Sequence, residues 1–195
     1  YLDVLAGRDY DMDVGGYLPH AALRVYVMGA RGARREPATA DDIERMCALL
    51  EEALDAGAMG IGTSRTLFHR ASDGSPIPTL DATNDELLAL ARTLRKAGKG
   101  VFQIVEDVHL PGKDVSVLRQ LAEASGRPLT FSMGTGNSGP QIWPQLLQGL
   151  EDANAAGVTI KGQVMPRAIG MMLGVELTLN PFYTTAGYRE VADLP

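Results

Sequence analysis

Four side chains that can bind an anion or move a proton fall within a short stretch: Ser64, Arg65, His69 and Arg70, in TSRTLFHR. They follow MGIG at 59–62, which reads as a buried strand. An arginine presents a planar fork of donors that matches a carboxylate. The stretch is therefore read as a substrate-facing loop for an acidic group. About 20 residues separate the strand from the next helix signal, and loops of that length without internal structure are commonly functional. His69 taken alone would be an ordinary loop histidine.

A second group, Gln103, Glu106, Asp107 and His109, lies in QIVEDVH. Two carboxylates and an imidazole could hold a metal or exchange protons. If the strand runs that far, Glu106 and Asp107 point to opposite faces, and a polar loop start is the alternative reading. Arg167 follows Met165-Pro166 and is a candidate second anion clamp, with Gln163 before it. Ser132 leads into MGTGNSG, whose backbone N–H groups could hold an anion. No Gly-Lys-Ser/Thr follows, so it is not a Walker loop. His20 is read as a structural hydrogen-bonding residue before the first strand, at the opposite end of the sheet from these groups. Cys47 is read as a buried thiol, and Arg31, Arg34 and Arg35 as a solvated loop. HxH, HExxH, CxxC and GxSxG are all missing, so no catalytic residue is assigned.

The elements that must position these groups repeat one pattern. Residues 23–28 (LRVYVM) read as a first strand, and 39–56 as a helix with a Thr39/Asp42 capping box and Gly57 beyond its end. Strand 59–63 precedes the long loop. Thr83 and Glu86 then cap a helix that Gly98 ends. Strand 101–105, helix 115–125, strand 128–132, helix 141–156 and strand 159–165 follow, and 169–195 is less regular. Helices that end at glycine, each followed by a short apolar strand, predict βα repeats and a parallel sheet. The sheet is either open and doubly wound or part of a (β/α)8 barrel. In both, the C-terminal strand ends carry the site.

A net charge of −6 and a pI near 5.0 argue against a nucleic-acid partner. A single cysteine, Cys47, allows no internal disulfide and fits a reducing, cytoplasmic setting. No apolar run is long enough to span a membrane. The chain opens at Tyr1 and stops at ADLP, and is read as a segment of a longer protein.

LPHAALRVYVMGARG, EALDAGAMGIGTSRT and GKGVFQIVED, in this order and spacing, resemble the N-acyl-D-amino-acid deacylase (D-aminoacylase) family of the amidohydrolase superfamily. The resemblance implies an α/β fold whose βα repeats form part of a TIM (β/α)8 barrel, with residues 1–195 a single segment spanning approximately strands 3 to 7. It implies a zinc-dependent hydrolase of the amide of an N-acyl-D-amino acid, in which a metal-activated water attacks the carbonyl. It places the family's HxH pair and cysteine ligand before Tyr1, and its catalytic aspartate after Pro195. The fifth-strand histidine aligns with GVFQIVED, where Val105 or Glu106 stands. The sixth-strand Ser-His-His aligns with FSMGTG, where Met133 and Gly134 stand. Glu106, an oxygen donor that zinc accepts, and His109 are the metal candidates left in the chain. Ser64, Arg65, His69, Arg70, Gln103 and Arg167 are the substrate-binding candidates.

The expected function is hydrolysis of N-acyl-D-amino acids by the full-length protein, with the segment inactive alone. One alternative is a non-catalytic barrel that binds an acidic small molecule. Another is an unrelated open-sheet enzyme with an anion site at GTGNSG. The expected partner is a small N-acyl amino acid, not a nucleic acid or a membrane. Uncovered strand edges make self-association a further expectation.

Overall fold

The structure is a computed structural model that describes residues 2–108, 116–134, 142–167, 170, 172–175, 177, 180–182 and 185–192. His109 and the loop from Thr135 onward in MGTGNSG therefore lie outside the described residues. The order is α1 (Leu2–Ala6), β1 (Leu18–Pro19), α2 (His20–Met28), α3 (Ala30–Ala33), α4 (Ala40–Asp55), β2 (Gly60–Arg65) and α5 (Asn84–Ala97). Then come β3 (Val101–Glu106), α6 (Ser116–Ser125), β4 (Leu129–Ser132), α7 (Ile142–Ala155), β5 (Ile160–Gln163) and α8 (Ala186–Val191).

The five strands are all parallel and lie in chain order, β1-β2-β3-β4-β5. A doubly wound sheet reverses its order at a switch point. Sequential order without reversal is the arrangement of a (β/α)8 barrel. The open-sheet alternative is thereby set aside, and the fold is α/β, part of a TIM barrel.

The local signals act as the sequence implies. Thr39 Oγ1 accepts from the Asp42 N–H at 3.2 Å, and the Asp42 carboxylate accepts from the Thr39 N–H at 2.9 Å, closing the capping box. Thr83 caps α5 through the Glu86 N–H at 3.2 Å. Gly98 follows α5 in the left-handed conformation (φ 65°), which side chains resist and glycine accepts.

Three readings differ. Arg31 lies in α3 and not in a loop, and Arg31, Arg34 and Arg35 pair with Asp42, Glu36 and Asp81. Cys47 is half-buried, not buried. The third is an element. Residues 23–28 are helix, not strand, and the strand before them is only Leu18–Pro19. Val25, Tyr26 and Val27 give the stretch its β-like composition. Yet the buried residues of α2 are His20, Leu23, Arg24, Val27 and Met28, a helical spacing. Val25 and Tyr26 face outward. Burial of one helical stripe overrides the local preference.

The core lies between the sheet and its helices. Ile61, Phe102, Ile104, Leu129, Phe131 and Ile160 on the strands pack against helix residues such as Leu50, Leu87, Leu90, Leu94 and Leu121. Burying each such side chain contributes about 1.5–3 kcal/mol. Successive strand residues face opposite ways. The remaining strand positions therefore look toward the barrel interior, and the strands' C-terminal ends form its mouth.

Candidate functional site at the mouth of the barrel

A cavity of about 480 Å³ opens at the ends of β1, β2 and β3, lined by Tyr17, Ser64, His69, Thr79, Gln103 and Val105 among others. Ser64 sits on the interior side of β2, and its Oγ lies 2.7 Å from His69 Nδ1. The loop beyond is anchored at several points. Thr79 Oγ1 donates to the Ser64 carbonyl at 2.6 Å. The Asp107 carboxylate accepts from Thr66 Oγ1 at 2.5 Å and from the Leu67 N–H at 2.9 Å. Arg70 pairs with Pro76 in an isolated antiparallel bridge. The loop thus holds His69 over Ser64.

Of the substrate candidates, Ser64, His69 and Gln103 meet in this cavity. Arg70 is half-buried in the loop, and Arg167 is exposed beyond the end of β5, with neither among the cavity's lining residues. Arg65 is turned toward the helices. Its Nε donates to Glu106 Oε2 at 2.6 Å, and its Nη1 to the Ala82 carbonyl at 3.0 Å and Asn84 Oδ1 at 2.7 Å. The parallel register sets Arg65 directly beside Glu106.

That pairing bears on metal binding. Glu106 is buried and held by a cation, and among the described residues no group of three or more His, Cys, Asp or Glu side chains gathers around a common point. The described residues do not fit a metal centre by themselves, and His109 is outside them.

Beneath the mouth lies a buried polar cluster that the sequence reading did not assemble. His20 directly follows β1, at the same end of the sheet as Ser64 and not at the opposite end as expected. Its Nδ1 is 2.8 Å from Thr63 Oγ1, and its Nε2 is 2.8 Å from Glu86 Oε1. Arg24 Nη1 donates to both Glu86 oxygens, at 2.7 and 2.5 Å, and its Nη2 to the Glu36 carbonyl at 2.7 Å. A carboxylate only accepts, so Nε2 carries the proton and Nδ1 accepts from Thr63. His20, Arg24 and Glu86 are all fully buried. The signal that could have found this cluster was the spacing of His20 and Arg24. Four residues apart, they share a helix face, and two basic groups on a buried face require a carboxylate.

Burial pushes the His20 imidazole below its ordinary value of 6.5; the hydrogen bond and charge of Glu86 oppose the shift, and the charges of Arg24 and Arg65 add to it. For Glu86, burial acts to raise the carboxyl, but the His20 hydrogen bond and the neighbouring positive charges outweigh it and hold it below 4.5. The folded state thus binds the His20 proton less readily than the unfolded chain. The stability that neutral His20 contributes is complete above about pH 6.5 and declines as the pH falls below it. The melting temperature should fall between pH 7.5 and 5.5, and His20→Gln should flatten that part of the profile. An identical slope in the variant would assign the acid sensitivity to other groups.

The fold and the mouth together define a segment of a (β/α)8-type barrel with a cavity at its strand ends. No protein-family model matches the chain, and no curated protein matches its sequence significantly. Solved structures do match it. One is a D-aminoacylase structure that defines a novel subset of amidohydrolases, at 25% identity and a TM-score of 0.58 over 77% of this chain and 30% of that one. A second, a D-aminoacylase mutant in complex with CuCl2, matches at 25% identity and a TM-score of 0.59 over 80% of this chain and 31% of that one. A third, concerned with the binuclear metal centre of D-aminoacylase, matches with the same figures. The chain thus spans about a third of the length of the D-aminoacylases it is similar to.

Proposed function

We propose that the chain is the part of an amidohydrolase barrel running from about its third to its seventh strand, and that the full-length protein hydrolyses the amide of an N-acyl-D-amino acid. The observation that carries this reading is the coincidence of two features. The chain superposes on D-aminoacylases over 77–80% of its length, and its cavity lies at the strand ends where that fold places its chemistry. Ser64, His69 and Gln103 supply hydrogen bonds for an amide and its flanking groups. Zinc is the metal proposed for the full-length protein. The described residues do not assemble its ligands, and no step is assigned to it. The segment alone is proposed to be inactive.

The test is release of free amino acid from N-acetyl-D-amino acids and from their L-enantiomers by the full-length protein. Turnover confined to the D-series supports the reading. Turnover of neither series, with binding of both excluded by calorimetry, overturns it. Binding without turnover would favour a second reading, a non-catalytic barrel that holds an acidic small molecule. The Arg65–Glu106 pair supports that second reading, because it occupies the carboxylate of Glu106, one of the two residues (with Val105) that align with the family's fifth-strand histidine.

A further inference from the structure

The interior face of the sheet carries a charge that neither the motifs nor the loop reading singled out. Ile61, Thr63, Phe102, Ile104, Glu106, Leu129, Phe131 and Ile160 are the buried, helix-facing strand positions. Alternation therefore turns Ser64, Gln103, Val105, Thr130, Ser132, Lys161 and Gln163 to the interior. The register places three of them in one row. Gln103 is opposite Thr130, and Thr130 is opposite Lys161. Neighbouring strands lie about 4.8 Å apart, so the row crosses roughly 10 Å of the floor. Val105 and Ser64 lie above it on β3 and β2, with Gln163 opposite Ser132 on the far side.

Barrel interiors are ordinarily filled by branched apolar side chains. In this row, by contrast, the side chains are an amide, a hydroxyl and an ammonium. Thr130 Oγ1 is buried and has no hydrogen-bond partner among the described residues. Gln103 already lines the cavity. The interior-facing positions of the strands include no carboxylate, since Glu106 faces the helices and holds Arg65. Lys161 is exposed and forms no ion pair among the described residues. The one formal charge on these interior-facing strand positions is therefore positive, and it stands at the end of a row of uncharged hydrogen-bonding groups.

We propose that Lys161 is the specificity-determining residue that receives the carboxylate of the ligand, with the ligand's amide lying over Gln103. This rests on the reading that the ligand is an N-acyl amino acid. Arg65 does not compete for the role, because its guanidinium is taken up by Glu106, Ala82 and Asn84.

The test compares N-acetyl-D-leucine with its uncharged primary amide, by calorimetric titration of the full-length protein and its Lys161→Ala and Lys161→Arg variants. In Lys161→Ala, affinity for the acid should fall roughly 10- to 100-fold, as loss of a charge-assisted contact implies. Affinity for the amide should stay within about twofold, and Lys161→Arg should recover part of the loss, because only the charge is at stake. An equal loss for acid and amide, or no loss for either, overturns the assignment, since a general structural defect does not distinguish the two ligands. If the wild-type protein binds neither ligand, this proposal and the proposed ligand class fall together. If it binds the acid through Lys161 but releases no amino acid, only the hydrolytic reading falls.

Discussion

Replacing Glu86 with alanine is expected to remove about 3–5 kcal/mol of folding stability, the usual cost of stripping the partner from a buried charge. Glu86 accepts from Arg24 at 2.7 and 2.5 Å and from His20 at 2.8 Å, and all three side chains are fully buried. Without the carboxylate, the Arg24 guanidinium keeps only the Glu36 carbonyl for its charge. The His20 N–H loses its acceptor as well. For a chain of this length, each kcal/mol moves the melting temperature by about 2–4 °C, so the midpoint should drop by roughly 6–20 °C. The double variant Arg24→Met, Glu86→Ala tests the cause. Removing both charges relieves the uncompensated cation, and the double variant should be more stable than Glu86→Ala alone. A single variant within about 1 kcal/mol of wild type would show that the cluster is not a stabilising joint.

Gly60→Ala should be similarly damaging, through the backbone instead of charge. Gly60 opens β2 at φ +144°, and an added Cβ would stand 2.0 Å from the Val101 carbonyl oxygen and 2.6 Å from its nitrogen. Neither atom can move without parting β2 from β3, since Gly60 and Val101 are register partners. A disfavoured backbone conformation costs about 1–3 kcal/mol, and overpacking about as much again. A shift of the urea midpoint equivalent to about 3–5 kcal/mol is the expected result. Gly98→Ala is the control. There φ is +65° and nothing lies within 4 Å of the added carbon, so only the conformational cost of about 1–2 kcal/mol applies. Equal losses in the two variants would show that the steric contact at Gly60 is unimportant.

Much of the scaffold was legible in the sequence, because its signals are local. The Thr39/Asp42 box, the Thr83 cap and the glycines after the helices each act within a few residues. LRVYVM reads as a strand because local composition is β-like, whereas a partner of the helix it forms is distant: Glu86, which accepts from its Arg24. The site was legible only in part. Ser64 and His69 are near neighbours in sequence, and their proximity could be expected. Arg65 and Glu106 each looked available, and only the strand register shows that they hold each other. The row of Gln103, Thr130 and Lys161 was invisible for the same reason. Its members come from three strands, and nothing in a single strand fixes its height against the next.

The parallel register also dictates how slowly such a sheet can assemble. Every strand pair described, from Leu18 with Ile61 to Leu129 with Ile160, joins residues separated by an intervening helix or longer connection. Among the described strands no hairpin is available to nucleate the sheet at small entropic cost, so each pairing must first close a loop of tens of residues. The helices, whose caps and hydrogen bonds are local, can flicker into place within microseconds, while the sheet awaits these long closures. The two-residue β1, with Leu18 and Pro19 as its whole contribution, gains least from pairing and is the natural last strand to dock. Ordering of the barrel mouth around His20 would then follow the pairing of β2 with β3.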